Sequence, residues 1–114
     1  MTTGPFVLGR DVAWEVMDDG VRRQILAHGP DLMLVRVEFE PGAVGRMHSH
    51  PHRQATYVAA GRFEVTIGGE VRDLAAGDSF FAVADVTHGV RALAAGTLVD
   101  CFTPAREDFL EARR

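Results

Sequence analysis

The most informative part of the chain is residues 42–61, GAVGRMHSHPHRQATYVAAG, in which three histidines stand at alternate positions. His48, His50 and His52 occupy every second position, and alternate residues of a β-strand lie on the same face. His48 and His50 can therefore converge on one point if this segment is extended. Pro51 lies between them, so we expect an edge, a bend or a bulge at that position.

Two further residues extend this histidine group into a candidate metal site. Gln54 lies four positions after His50, and His88 lies forty positions after His48, just before an apolar stretch. Three imidazoles and one oxygen ligand suit a divalent cation such as Zn, Ni, Fe or Mn. The same residues are also compatible with a histidine-rich polar loop, in which Gln54 is only a hydrogen-bond partner. His52 is expected at the rim or behind the ligands.

Short alternating segments separated by turns predict that the whole chain is all-β. Residues 32–39 and 62–67 place apolar side chains at every second position, and Gly68–Gly69 fits a two-residue hairpin turn. The expected strands are 12–16, 21–27, 32–39, 47–60, 62–67, 70–74, 79–83, 88–93 and 97–102. A short helix is expected between Pro104 and Arg114. This pattern favours an antiparallel sandwich or barrel.

Composition limits the possible partners and chemistry. The 114 residues suit one domain, 1–114, and the usage of 46% hydrophobic and 25% charged residues is that of a globular protein. Twelve basic and sixteen acidic residues are interspersed, which disfavours nucleic acid as a partner. Lysine is absent, which excludes Schiff-base catalysis. No apolar run suits a membrane span, and with a single cysteine, Cys101, a cytoplasmic protein is expected.

The histidine segment resembles the first sequence motif of the cupin family. Five residues match at the family's spacing, with Gln in place of its usual Glu: Gly42–x5–His48–x–His50–x3–Gln54–x6–Gly61. The resemblance implies a cupin double-stranded β-helix, a jelly-roll barrel, to which the sequence adds the short C-terminal helix. It also implies that four side chains hold a metal inside the barrel mouth, namely His48, His50, Gln54 and His88.

The second cupin motif is only partly present. Gly77 and His88 stand at the family's separation, whereas Val83, Asp85 and Ala92 replace its Pro, Gly and Asn. These departures concern the local backbone before His88 rather than the ligand itself.

Longer segments resemble the small cupins of uronate catabolism, the pectin-degradation (KdgF) type. The matching segments are HSHPHRQATYV at 48–58, GRFEVTIGGE at 61–70, HGVRAL at 88–93 and DCFTPAREDFL at 100–110. The resemblance implies metal-dependent ring opening of 4,5-unsaturated uronate monomers to the linear keto acid, with no organic cofactor. Asp100, Phe102 and Arg106 match the family's C-terminal active-site positions. Arg53 is a departure, since relatives usually carry an acid there.

The residues at the C-terminal end admit more than one role. By alternation Asp100 shares the inward face of Leu98 and Phe102, where apolar neighbours raise a carboxyl pKa and favour a proton shuttle. Asp100 could instead orient a histidine or pair with an arginine. Arg106 could grip a uronate carboxylate bidentately, or bridge to a neighbouring acidic residue, Glu107 or Asp108. Phe102 is expected both in the core and in the lining of the pocket.

Two other functions remain open from the sequence, and one assembly is expected. Three histidines could hold Fe(II) in a dioxygenase that acts on a small acid, or the chain could bind a sugar acid without catalysis. The partner is in each case a small molecule, not nucleic acid or a membrane. Cupins of this size commonly pair, and an apolar stripe on residues 32–39 together with an open barrel edge favours a homodimer.

Overall fold

Ten strands and one short helix make up the computed structural model, which describes residues 2–112. After a 3₁₀ turn at Gly9–Asp11 the elements are β1 (Glu15–Asp18), β2 (Val21–Gly29), β3 (Leu32–Phe39), β4 (Val44–His48), β5 (Arg53–Ala60), β6 (Arg62–Ile67), β7 (Glu70–Ala75), β8 (Ser79–Ala82), β9 (His88–Ala92), β10 (Gly96–Thr103) and α1 (Glu107–Glu111). No helix within the described residues is long and apolar enough to cross a membrane.

The strands form two antiparallel sheets whose inner faces share one apolar core. One sheet has the order β1-β2-β3-β10-β5-β8 and the other has the order β4-β9-β6-β7. Strand β10 lies between β3 and β5, and Asp100 is aligned with Val35 on one side and with Thr56 on the other. This arrangement is the jelly-roll barrel that the strand pattern and the cupin motifs predict, so the predicted fold class is confirmed.

Alternation along the strands decides which end of the barrel interior is apolar and which is polar. Strand β3 buries every second residue in the core, and the rings of Phe39 and Phe63 pack edge to face at 5.1 Å. The apolar stripe on residues 32–39 therefore faces the core, so it is not available for the predicted contact with a second copy of the chain. Strand β5 also buries alternate residues, but Gln54 and Thr56 are polar. One end of the interior is consequently lined with hydrogen-bonding groups.

The histidine segment is not the single strand that its alternation predicts. Strand β4 already begins at Val44 and ends at His48, and β5 begins only at Arg53. Residues 49–52 form a loop, because Pro51 has no N–H for a strand ladder. The backbone carbonyl of His50 accepts a hydrogen bond from the Asp85 N–H at 2.8 Å instead of from a neighbouring strand.

Smaller differences occur near both ends of the chain. The first strand begins at Glu15 rather than at position 12, and β2 continues to Gly29, so the turn is confined to residues 30–31. The helix covers only Glu107–Glu111 of the expected range 104–114, whose last two residues lie outside the described part.

The partial second cupin motif keeps the backbone turn that a glycine would make. Asp85 stands at the glycine position of the motif and has a φ of 66°, in the left-handed region. Aspartate tolerates this region better than most residues, because its short polar side chain bonds locally. Gly61, in contrast, is a position that only glycine can occupy, because a Cβ there would lie 2.4 Å from the Ala95 carbonyl oxygen. The replacement of Gly by Asp85 therefore leaves the turn before His88 intact.

Candidate metal centre

Three histidines meet at the polar end of the barrel. His48 ends β4, His50 lies in the following loop, and His88 begins β9, directly opposite His48 in the strand register. One ring nitrogen of each histidine lies within 4.8 Å of the others. His48 and His50 converge because the loop turns back after β4, and not because they share one strand face.

Backbone carbonyls fix the same tautomer in all three rings. The Nδ1 atoms of His48, His50 and His88 lie 2.7, 2.9 and 3.0 Å from backbone carbonyl oxygens, which can only accept hydrogen bonds. The three carbonyls belong to Arg46, His52 and Val86. Each Nδ1 therefore carries the proton and donates it, and in the neutral ring the Nε2 atom presents a lone pair.

Burial keeps two of these rings neutral. Loss of solvation on burial is the main cause that holds the pKa of His50 and of His88 below its ordinary value, and the positive charge of Arg106 acts in the same direction. A neutral imidazole is the form that binds a metal ion.

The side-chain amide of Gln54 completes the site. Its Oε1 atom lies 3.1 Å from the Nε2 of His50 and 3.2 Å from the Nε2 of His88. Its NH₂ group donates to Thr56 Oγ1 at 2.9 Å and to Asp100 Oδ1 at 3.2 Å, which directs Oε1 toward the histidines. Because Nδ1 carries the proton in these rings, the lone pairs of the two Nε2 atoms face those of Gln54 Oε1 at the centre of the site. A divalent cation would satisfy all of them, so the donor set fits a metal.

Asp100 is linked to the candidate ligands through one of its two oxygens. Its Oδ1 atom accepts a hydrogen bond from Thr56 Oγ1 at 2.6 Å and another from Gln54 Nε2. No histidine or arginine in the described residues hydrogen-bonds to Asp100, in contrast to the alternative roles that the sequence left open. Burial raises the pKa of the Asp100 carboxyl to about 6, although the two hydrogen bonds and the charge of Arg106 oppose this shift.

A cavity of about 320 Å³ opens beside the histidines. The polar side chains that line it include His48, Gln54, His88 and Asp100, and the apolar side chains include Val35, Val37, Leu98 and Phe102. Phe102 is thus both a core residue and a wall of the cavity, as the sequence predicts. The volume suits a monosaccharide-sized ligand more than a polymer.

Arg106 lines the same cavity and is also paired with an acidic neighbour. Its Nε and Nη2 atoms donate to the two carboxylate oxygens of Asp108 at 3.0 and 2.9 Å. The hydrogen bond from Arg106 is the main cause that lowers the pKa of Asp108. The guanidinium carbon lies 4.1 Å from the centre of the Phe109 ring and 5.0 Å from that of Phe102. Of the two roles that the sequence suggests, the bridge to Asp108 is therefore formed.

Two residues of the site have no counterpart in the sequence-based prediction. Thr56 is fully buried and links Gln54 to Asp100, and Arg23 on β2 lines the same cavity as Phe102 and Arg106. Alternation along β5 could have identified Thr56, because it shares the inward face of Gln54. His52 contributes its backbone carbonyl to His50, and its own Nδ1 is buried without a hydrogen-bond partner in the described residues.

Comparisons with known proteins agree with this description. A family model described as "Cupin domain" matches residues 35–99. The pectin degradation protein KdgF of Dickeya dadantii (strain 3937) is 46% identical over 107 residues, which cover 92% of this chain and 97% of that protein.

Two solved structures are similar over nearly the whole chain. An RmlC-like cupin from Shewanella frigidimarina NCIMB 400 superimposes with a TM-score of 0.92 at 41% identity and covers 95% of this chain and 97% of its own. KdgF from Halomonas sp. superimposes with a TM-score of 0.89 at 43% identity and covers 94% and 99% of the two chains.

Proposed function

The chain belongs to the cupin family, and on that basis we propose that it is a metal-dependent enzyme of pectin catabolism that opens the ring of 4,5-unsaturated uronate monomers. The single observation that carries this proposal is the hydrogen bond from Gln54 to Asp100, because the same Gln54 side chain directs its Oε1 atom toward the Nε2 atoms of His50 and His88. This bond joins a proton-transferring group to a candidate metal ligand. The 46% identity to the pectin degradation protein KdgF of Dickeya dadantii supports the substrate class.

The reaction requires only proton transfers. The proposed substrate is a cyclic hemiacetal whose ring oxygen also belongs to an enol ether. When the hydroxyl on carbon 1 loses its proton, a carbonyl forms there, the bond from carbon 1 to the ring oxygen breaks with its electron pair going to that oxygen, and an enolate remains across carbons 4 and 5. Protonation of carbon 4 then gives the linear keto acid. No electron or hydride leaves the substrate, so the proposed reaction uses no organic cofactor.

Asp100 is the group that we assign to both proton transfers. Its Oδ1 atom is occupied by the hydrogen bonds from Thr56 and Gln54, so Oδ2 is the oxygen that can take the hydroxyl proton and return it to carbon 4. A carboxyl with a pKa of about 6 is suited to this exchange, because it is mainly ionised at neutral pH and yet a much better proton acceptor than an ordinary aspartate.

His48, His50, Gln54 and His88 would hold the metal. A divalent ion bound there would supply Lewis-acid polarisation of substrate oxygens, and Ni, Zn, Mn and Fe all accept such a ligand set. Gln54 is neutral where the usual cupin ligand is a glutamate, so the protein adds no negative charge through this ligand.

Arg106 and Phe102 are the substrate-binding residues of the proposal. Arg106 retains N–H groups that Asp108 does not use, and these can donate to the uronate carboxylate. Phe102 provides an apolar surface against the carbon skeleton of the sugar and packs at 5.7 Å from the His50 ring.

We also propose that residues 1–114 form a single cupin domain that acts as a homodimer. Because β3 buries its apolar stripe, the surface that favours a partner is the outer face of the six-stranded sheet. Tyr57 on β5 and Phe81 on the edge strand β8 are both more than half exposed there. An open edge strand with exposed aromatic residues is a common site of pairing.

We expect the purified protein to accelerate the loss of the conjugated ultraviolet absorbance of an unsaturated uronate monomer over its spontaneous rate. A strong chelator should abolish the acceleration, and the return of one divalent metal should restore it. Circular dichroism of the chelated protein is the control that the barrel is still folded. A lack of acceleration by protein that contains bound metal would refute the uronate proposal, and oxygen uptake with a small acid would then be measured.

A second prediction concerns Thr56, whose hydroxyl donates to Asp100 and accepts from Gln54. Thr56→Val keeps the shape of the side chain but removes the hydroxyl, so we expect kcat to fall about tenfold or more, since a buried partner loses its hydrogen bond. KM should change little. Thr56→Ser keeps the hydroxyl and should remain close to the wild-type kcat. If Thr56 only fills space, the order is reversed, and the serine variant is the more impaired.

A further inference from the structure

A second arginine lies inside the cavity and takes no part in the scheme above. Arg23 belongs to β2, is only 8% exposed, and lines the cavity together with Arg106, which is exposed to the same small extent. Its neighbour Arg22 points to the outside, where it is paired with Glu38 at 2.7 Å. Alternation along β2 thus separates two adjacent arginines, one in the cavity and one on the outer surface.

The guanidinium of Arg23 is held in place on two sides. Its Nε atom donates to Glu15 Oε1 at 3.0 Å, across the pair of strands β1 and β2. Its guanidinium carbon lies 3.9 Å from the centre of the Phe109 ring, the same ring that supports Arg106 at 4.1 Å. Because both groups contact one ring, their guanidinium carbons are no more than about 8 Å apart. Both arginines and Phe109 also line the cavity, so an anion at the Phe109 end would have both guanidinium groups in the cavity walls around it.

Arg106 alone could not pair both oxygens of a substrate carboxylate bound in the cavity. The side of its guanidinium formed by Nε and Nη2 is already bound to Asp108, so the bidentate grip available on that side is taken. A carboxylate has two oxygens that require donors, and a buried anion is costly unless charged and polar partners surround it. Arg46, the remaining arginine at the cavity, is 80% exposed and paired with Asp18 at the rim.

We propose that Arg23 is a substrate-binding residue that, with Arg106, receives the carboxylate of the sugar acid at the Phe109 end of the cavity. This inference rests on the proposed function and adds to it a second anchor for the acid group. Two arginines in the lining of one small cavity favour a uronic acid over a neutral sugar, because a carboxylate is an anionic acceptor of hydrogen bonds from guanidinium groups and a neutral sugar is not. Glu15 and Asp108 compensate the charges of the two arginines in the free protein.

The test compares Arg23→Gln with Arg22→Gln, its matched neighbour on the outer face. The measured quantities are KM and kcat for the unsaturated uronate, and the Kd of galacturonate by calorimetry, which reports binding without turnover. For Arg23→Gln we expect KM and Kd to rise about tenfold or more, since a charged hydrogen-bond partner is lost, with a smaller change in kcat. Arg22→Gln should match the wild type in all three quantities.

Arg23→Lys is the control for a loss of stability, because lysine retains a positive charge that can pair with Glu15. We expect this variant to unfold at the wild-type temperature and to recover part of the lost affinity. A fall in kcat with unchanged KM and Kd in both Arg23 variants would show a structural role and overturn the inference.

The outcomes separate this inference from the proposed function. Wild-type KM and Kd in Arg23→Gln, with turnover still abolished in Asp100→Asn, would reject the role of Arg23 and leave the enzyme proposal standing. If the wild type does not convert the uronate, the calorimetric Kd of Arg23→Gln still decides the role of Arg23. If the wild type neither converts the uronate nor binds galacturonate, both proposals are overturned.

Discussion

Asp100→Asn is expected to abolish the ring opening, with a fall in kcat of about a thousandfold, because a positioned acid–base group contributes between ~10² and 10⁴ to the rate. The amide of Asn is neutral over the whole working pH range, so it can neither remove the hydroxyl proton nor return it to carbon 4. Its carbonyl oxygen can still accept the hydrogen bonds from Thr56 and Gln54 that the Oδ1 atom of Asp100 receives. The variant therefore removes the proton transfer and keeps the orientation of the Gln54 amide.

The measurement is the initial rate of absorbance loss together with metal content by elemental analysis. We expect the Asn variant to bind as much metal as the wild type, so that the lost rate cannot be attributed to a damaged metal site. Asp73→Asn, on the exposed strand β7, is the control for the same chemical change outside the cavity. Wild-type turnover by Asp100→Asn would contradict the role that we give to this residue.

Local periodicity was sufficient for much of the fold. Residues 32–39 and 62–67 have strict alternation of apolar side chains, and both are strands with the predicted bounds. Gly68 and Gly69 have positive φ angles and join β6 to β7, as expected of a two-residue hairpin. In these segments the side chains that decide the structure are neighbours in sequence, so the alternation of apolar residues is enough to predict the strands.

The site was predictable only in part, because its decisive contacts join distant strands. Spacing identified the three histidines and Gln54, but the bonds of Asp100 to Thr56 and Gln54 span 44 and 46 positions. Such contacts depend on the register of β10 against β5, which alternation does not determine.

The same limit applies to the backbone around the site and to its arginines. The irregularity at Pro51 was expected, but the hydrogen bond of the His50 carbonyl to Asp85, which joins this loop to a distant part of the chain, was not. Arg23 was missed because its role depends on the position of Phe109, which belongs to the C-terminal helix.

His88→Ala is expected to have an effect as large as that of Asp100→Asn, but through loss of the metal. His88 is almost fully buried, its Nδ1–H is fixed on the Val86 carbonyl, and its Nε2 faces the centre of the site. Mutation of residues that only hydrogen-bond to metal ligands typically lowers metal affinity or activity by about 10–100-fold. Loss of a ligand itself should therefore weaken metal binding by about 100-fold or more. We expect the purified variant to have lost its bound metal and to leave the uronate reacting at its spontaneous rate.

His28→Ala is the matched control, because its ring bonds to the Leu26 carbonyl on β2 and does not belong to the three-histidine group. This variant should keep both its metal and its turnover, whereas His88→Ala should lose both. Full turnover by His88→Ala without bound metal would show that the reaction needs only the proton transfers of Asp100, and the metal would then have a structural role. Full metal content with lost turnover would instead show that His88 acts on the substrate directly and that the metal is held by other side chains.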